Sequence, residues 1–156
     1  MQRKYEEALK ESELAISLNP NRAIVARNHS YILRSIGRYD DSIKMAKKAI
    51  RLDPLTSDPR YSYALGSAYL LNRNFDSAVA EYEKALKLNP DYMFCYIGLT
   101  VAYSSLSMDE KAHAAAEQLL RLNPNFSIEV FRKVLPNKDP ADKDFLIGGL
   151  QKAGLK

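Results

Sequence analysis

One cysteine, two histidines and no apolar run near the roughly 20 residues that span a bilayer are the scarcities of this 156-residue chain. Each closes off a class of function. A single cysteine, Cys95, leaves no internal disulfide, and its place within a helical stretch marks a small buried apolar side chain rather than a reactive thiol. His29 and His113 stand alone, with no cysteine or carboxylate at helical spacing to complete a metal site, and His29 falls at a helix-packing position. The start, Met1-Gln2-Arg3-Lys4-Tyr5-Glu6-Glu7, has no hydrophobic signal segment, so the expected setting is cytoplasmic and no membrane partner is expected. The Gly148-Gly149 pair sits inside the last predicted helix with no strand before it, which gives it a packing or bending role rather than a phosphate loop. No catalytic motif and no cofactor or metal site emerge, and the chain reads as a non-enzyme.

What is present is a repeat. Four segments close alike: Ala-Ile-Ser-Leu-Asn-Pro at Pro20, Ala-Ile-Arg-Leu-Asp-Pro at Pro54, Ala-Leu-Lys-Leu-Asn-Pro at Pro90 and Leu-Leu-Arg-Leu-Asn-Pro at Pro124. Spacings of 34, 36 and 34 residues are the period of a helix-turn-helix stack, not of a single closed core. The predicted class is therefore all-α, an α-solenoid of antiparallel helix pairs. With 46% hydrophobic and 27% charged residues it forms one soluble domain whose core is spread along a line. A solenoid offers an extended binding surface.

Between residues 59 and 90 the small and aromatic positions read Leu65-Gly66, Tyr69, Phe75, Ala78, Tyr82, Ala85 and Pro90. Residues 23–54 supply Gly37, Tyr39, Ala46, Ala49 and Pro54 at matching offsets, and residues 93–124 supply Tyr96, Leu99, Tyr103, Ala112, Ala116 and Pro124. Over residues 5–124 the chain resembles the tetratricopeptide repeat, with departures at His29-Ser30, in place of Leu65-Gly66, and at Ser42, in place of Ala78. The expected organisation is a repeat region over 1–126, made of a half repeat at 5–20 and full repeats at 23–54, 59–90 and 93–124. Two capping helices follow over 127–156.

Local punctuation fits that frame. Tyr5, Ala8, Leu9, Ala15 and Ile16 share one face of a helix that Asn19-Pro20 ends, because proline disfavours the helical conformation in the residue before it. Gly37 can take a positive φ at a tight corner, whereas Arg73 at the equivalent corner is expected to rely on Asn72 or Asn74 to turn the chain. Asp58 reads as an N-cap with Pro59 as the first helical residue. Asp40-Asp41, Asp109-Glu110 and Asp139/Asp142 fall at helix starts, where they complement the macrodipole.

The two ends depart from the unit. The opening helix is the second of a pair, which predicts an upstream partner and, in this chain, a self-association face of Tyr5, Leu9 and Ile16. At the other end, residues 127–135 read as one helix, and Asp139-Pro140-Ala141-Asp142 opens another through Phe145, Leu146 and Leu150. That tail resembles the C-termini of bacterial signalling proteins in which tetratricopeptide repeats follow an adenylate or guanylate cyclase domain or a winged-helix domain. The resemblance implies a parent architecture, not an activity.

In the fold that the resemblance implies, the first helix of each pair lines the inner groove. It would present Arg27, Asn28, Tyr31 and Arg34, then Arg60, Tyr63 and Ser67, then Phe94, Ile97 and Val101. Such an apolar surface must be covered, by a partner segment or by the chain's own tail. Residues 1–54 hold 11 Lys+Arg against 7 Asp+Glu; without interleaved aromatics this is a solvated face, and no nucleic-acid partner is expected. An acidic peptide or protein surface fits better. Tetratricopeptide grooves that clamp a chaperone's C-terminal carboxylate share a set of basic residues and asparagines. Arg27 matches one of them, but Tyr31, Ala64, Phe94 and Gly98 stand at the others. The reading these features support is a protein-interaction module, regulatory within a bacterial signalling protein, with a peptide in its groove. The alternative is a scaffold that self-assembles through its repeat ends, beginning with a homodimer.

Overall fold

Alanine and glycine at the helix crossings, and proline after each second helix, set the architecture of the computed structural model, which describes residues 2–156 and side chains from Lys4 onward. Among the described residues there are nine helices and no strand: α1 (Gln2–Leu18), α2 (Ala23–Ser35), α3 (Tyr39–Leu52), α4 (Arg60–Leu71), α5 (Phe75–Leu88), α6 (Met93–Ser105), α7 (Asp109–Leu122), α8 (Ile128–Val134) and α9 (Pro140–Lys152). Three antiparallel pairs, α2/α3, α4/α5 and α6/α7, stack in order. Fully buried Ala26, Ala49, Ala68, Ala78, Ala85 and Ala102 let the backbones approach. First helices also touch one another, α2 on α4 and α4 on α6, and so form a continuous inner row. No helix among the described residues is long and apolar enough to cross a membrane.

All three corners use one device. Gly37, Arg73 and Ser107 each have positive φ, at 86°, 61° and 56°. The amide of the next residue donates back five positions, Arg38 to Leu33, Asn74 to Tyr69 and Met108 to Tyr103, each at 2.9 Å. This is the Schellman arrangement that satisfies orphan carbonyls at a helix end. The expectation that Asn72 or Asn74 would turn the second corner is corrected: both keep negative φ, and Arg73 itself adopts the left-handed conformation. Helix α4 is likewise shifted by one residue, beginning at Arg60 with Pro59 before it, although Asp58 Oδ1 accepts from the Arg60 amide at 2.9 Å.

Helix α1 is a correction of another kind. Ile16 packs toward the cluster of Ala26, Ala49 and Tyr61, and Ser12 Oγ lies 2.9 Å from His29 Nδ1. The face predicted to be bare is the one α2 takes, leaving Tyr5 and Leu9 half-buried. The exposed leucines of α1 are Leu14 and Leu18, at 58% and 70%.

The tail doubles back. Helix α9 rests on α6 and touches the first residue of α3 and the corner before α5 through single side chains. The Lys138 amide donates to Ser35 O at 2.7 Å, Tyr39 donates to Asp142 Oδ2 at 2.5 Å, and the Arg73 guanidinium lies 3.4 Å from the centre of the Phe145 ring, which stacks on Phe75. Ser104 Oγ donates to Gly149 O at 2.9 Å. Contact this close requires glycine: a Cβ on Gly149 would stand 2.9 Å from Val101 Cγ1 and 3.1 Å from its Cα. Leu146, Ile147 and Leu150 are buried, each contributing about 1.5–3 kcal/mol of apolar burial.

Candidate peptide groove

Two arginines at the basic end of the inner row share one carboxylate. Arg27, 5% exposed, pairs through Nη1 with Asp58 Oδ2 at 3.1 Å and donates to Asn28 Oδ1 at 3.2 Å, while its guanidinium lies over the rings of Tyr61 and Tyr31. Arg60 reaches the same carboxylate at 2.7 Å. Hydrogen bonding from Arg60 first, then the two positive charges, hold the Asp58 carboxyl below its ordinary range. Arg27 and Arg60 are thus committed to Asp58, which the sequence pattern had marked only as a helix cap. Asn28 is exposed, at the edge of this cluster.

Next along the row is an aromatic cluster centred on Tyr63. Its ring centre lies 6.4 Å from Tyr31, 6.0 Å from Tyr82, 5.4 Å edge-on from Tyr92 and 6.1 Å from Phe94. Tyr31 donates to Arg60 O at 3.2 Å, and burial pushes its hydroxyl up to about 12. Burial also raises Tyr92 and Tyr82, and the enclosed Tyr82 hydroxyl donates to the buried Ser67 at 3.2 Å. These phenols stay neutral hydrogen-bonding groups at any ordinary pH. Phe94 completes the patch at 45% exposure. Tyr92 escaped the sequence reading because it precedes α6; only its place beside Tyr63 recruits it.

Beyond Phe94 the tail takes over. Val101 is fully buried against Gly149, and Ile97 is buried too. The chain's own tail is therefore one occupant of the groove. Tail and inner row enclose a cavity of about 230 Å³, reached by Arg34, Tyr63, Ser67, Phe94 and Ile97 from the row and by Phe131, Leu135, Asn137 and Leu146 from the tail. The structure thus gathers Arg34, Tyr63, Ser67, Phe94 and Ile97 around one space, with Tyr31 beside Tyr63 outside it. It sets Arg27, Asn28 and Arg60 apart and covers Val101.

Two further groups bear on chemistry. Burial pushes the Cys95 thiol up to about 12, as befits an inert packing residue. Among the described residues, no group of three or more His, Cys, Asp and Glu side chains is placed to hold a metal ion.

Residues 28–92 match the tetratricopeptide repeat family model. The small glutamine-rich tetratricopeptide repeat-containing protein 2 of Mycosarcoma maydis is 30% identical over 110 residues, 70% of this chain but 31% of that protein, so the chain spans less than a third of that relative. Among solved structures, MamA superposes with a TM-score of 0.70 at 24% identity, covering 97% of this chain and 88% of that one. The first tetratricopeptide domain of Spaghetti (RPAP3), bound to the HSP90 peptide SRMEEVD, gives 0.66 at 23% identity over 85% and 90%. Residues 28–92 thus resemble tetratricopeptide-repeat sequence, and the chain shares the helix-pair α-solenoid fold of these structures.

Proposed function

We propose that this chain is a non-enzymatic protein-interaction module that holds a peptide segment on the open part of its inner surface. The observation that carries this reading is Phe94, exposed above Tyr63 and Tyr92 at the mouth of a cavity. Large aromatic side chains left at the surface beside a pocket are typical anchors of recognition. A protein of this fold with an HSP90 peptide bound supports a peptide as ligand class. Because Arg27 and Arg60 are spent on Asp58, apolar anchoring dominates over the acidic complementarity that the charge distribution suggested. Screening a random peptide display library, then measuring affinity by calorimetry, tests it. Tyr63→Ala and Phe94→Ala should each cost at least about 2 kcal/mol of binding, and unchanged affinity in folded variants overturns the reading. The regulatory role in a bacterial signalling protein belongs to the same proposal and is supported by the residue pattern of the tail.

Exposed Leu14 and Leu18, four residues apart on α1, support a second reading, a scaffold that self-associates through its first helix. Sedimentation of the wild type and of Leu14→Glu with Leu18→Glu decides it. A wild type that remains monomeric at high concentration rules it out.

A further inference from the structure

The cavity between the inner row and the tail has apolar walls and one charged group without a counter-charge. Arg34 makes no ion pair or hydrogen bond, and its Nε is shut off from solvent with no partner. Its guanidinium carbon lies 5.7 Å from the centre of the Tyr31 ring. Four neighbouring basic side chains are paired: Arg27 and Arg60 hold Asp58, Arg132 holds Asp144, and Lys133 holds Glu129. A half-buried guanidinium without a counter-charge favours an anion beside it. The Nη–H groups at the far end of the guanidinium can donate to a carboxylate. One unpaired positive charge suits a monoanion. The remaining walls, Ile97, Phe131, Leu135 and Leu146, offer a carboxylate's apolar body contact on both sides, and the buried Asn137 adds a polar group at the lining.

Size narrows the class. A volume of about 230 Å³ lies below the usual range for drug-sized ligands and favours a smaller molecule. We propose that this cavity is a binding site for a small amphiphilic monocarboxylate of the size of hexanoate, its carboxylate on Arg34 and its chain between α6 and the tail. The site does not rest on the peptide reading, since its anion contact is Arg34 and its second wall is the chain's own tail.

The test is a titration of the full chain, followed by amide NMR and calorimetry, with hexanoate, hexan-1-ol and hexylamine. Saturable shifts at Arg34, Ser67, Ile97, Gly98 and Asn137 are expected with hexanoate, with hexanol and hexylamine at least tenfold weaker. Arg34→Gln should lower hexanoate affinity at least tenfold, to that of hexanol. Val134→Trp, placed on an exposed lining residue, should block binding without touching the charge. Equal binding of hexanol and hexanoate, full affinity in folded Arg34→Gln, or no saturable shift at tens of millimolar overturns the proposal. A peptide ending in leucine that binds where hexanoate fails overturns the small-molecule assignment as well.

Discussion

Gly98 is empty where Tyr82 is full: a Cβ built on Gly98 would stand 2.2 Å from Tyr82 Cζ and 2.5 Å from its hydroxyl oxygen. The ring is also pressed against Gly66, whose Cβ would be 3.0 Å away. Tyr82 therefore passes between two successive first helices, fully enclosed, and carries its hydroxyl to Ser67 on the inner face. Packing of the second pair against the third and the floor of the groove depend on the same absent side chain.

Gly98→Ala is accordingly expected to destabilise the fold by about 1–3 kcal/mol, the usual cost of overpacking a filled core. Gly148→Ala is its control, because nothing lies within 4 Å of a Cβ there, and replacing an unconstrained helical glycine stabilises by roughly 0.5–1 kcal/mol. Urea denaturation of both variants checks the contrast. Equal effects would mean that the Tyr82 ring moves aside without cost.

Corner residues should respond in opposite directions. Gly37→Ala forces a Cβ into a left-handed conformation and should cost about 1 kcal/mol. Ser107→Gly relieves the same conformation, φ 56°, and should be neutral or stabilising by up to ~1 kcal/mol. Arg73 is the less clean site for this comparison, since its guanidinium also covers Phe145. Thermal melts of the two variants decide the point, and a destabilised Ser107→Gly contradicts it.

The tail is held by fit as much as by hydrogen bonds. Gly149→Leu should lift α9 from Val101 and expose the buried faces of Leu146 and Leu150. Amide exchange at Val101 and Ser104 is expected to accelerate while α2–α5 keep their protection. Unchanged protection along α6 would show that α9 does not cover it.

Stability should fall as the solution is acidified from about pH 7 to 5. Burial lowers the His29 pKa from its ordinary value against the pull of the Glu13 and Asp41 carboxylates, with Arg38 adding to the lowering. The unfolded chain therefore binds a proton at His29 before the folded chain does. Stability is complete above the unfolded pKa of ~6.5 and is lost as pH falls through it toward the folded value. His29→Gln, which can keep a hydrogen bond to Ser12, should flatten this slope in denaturation measured across that range. A slope that survives the substitution assigns it elsewhere.

Period, helix pairing and corner positions follow from the sequence alone, because they rest on interactions within about one repeat: Asn-Pro and Asp-Pro endings, alanines at crossings and glycine where φ turns positive. Arg73 marks where local reasoning ran out, since any residue can be held in the left-handed region when the helices on both sides fix the corner. The tertiary structure alone decided the groove. Asp58 and Arg27 are 31 residues apart, and their pairing ties up one of the arginines that the sequence placed on the groove. Tyr39 and Asp142 are 103 residues apart, and with Gly149 on Val101 they lay the tail over the inner row. Repeat periodicity says nothing of such contacts, because the tail does not repeat, and its position is set by shape and burial against helices that are already stacked.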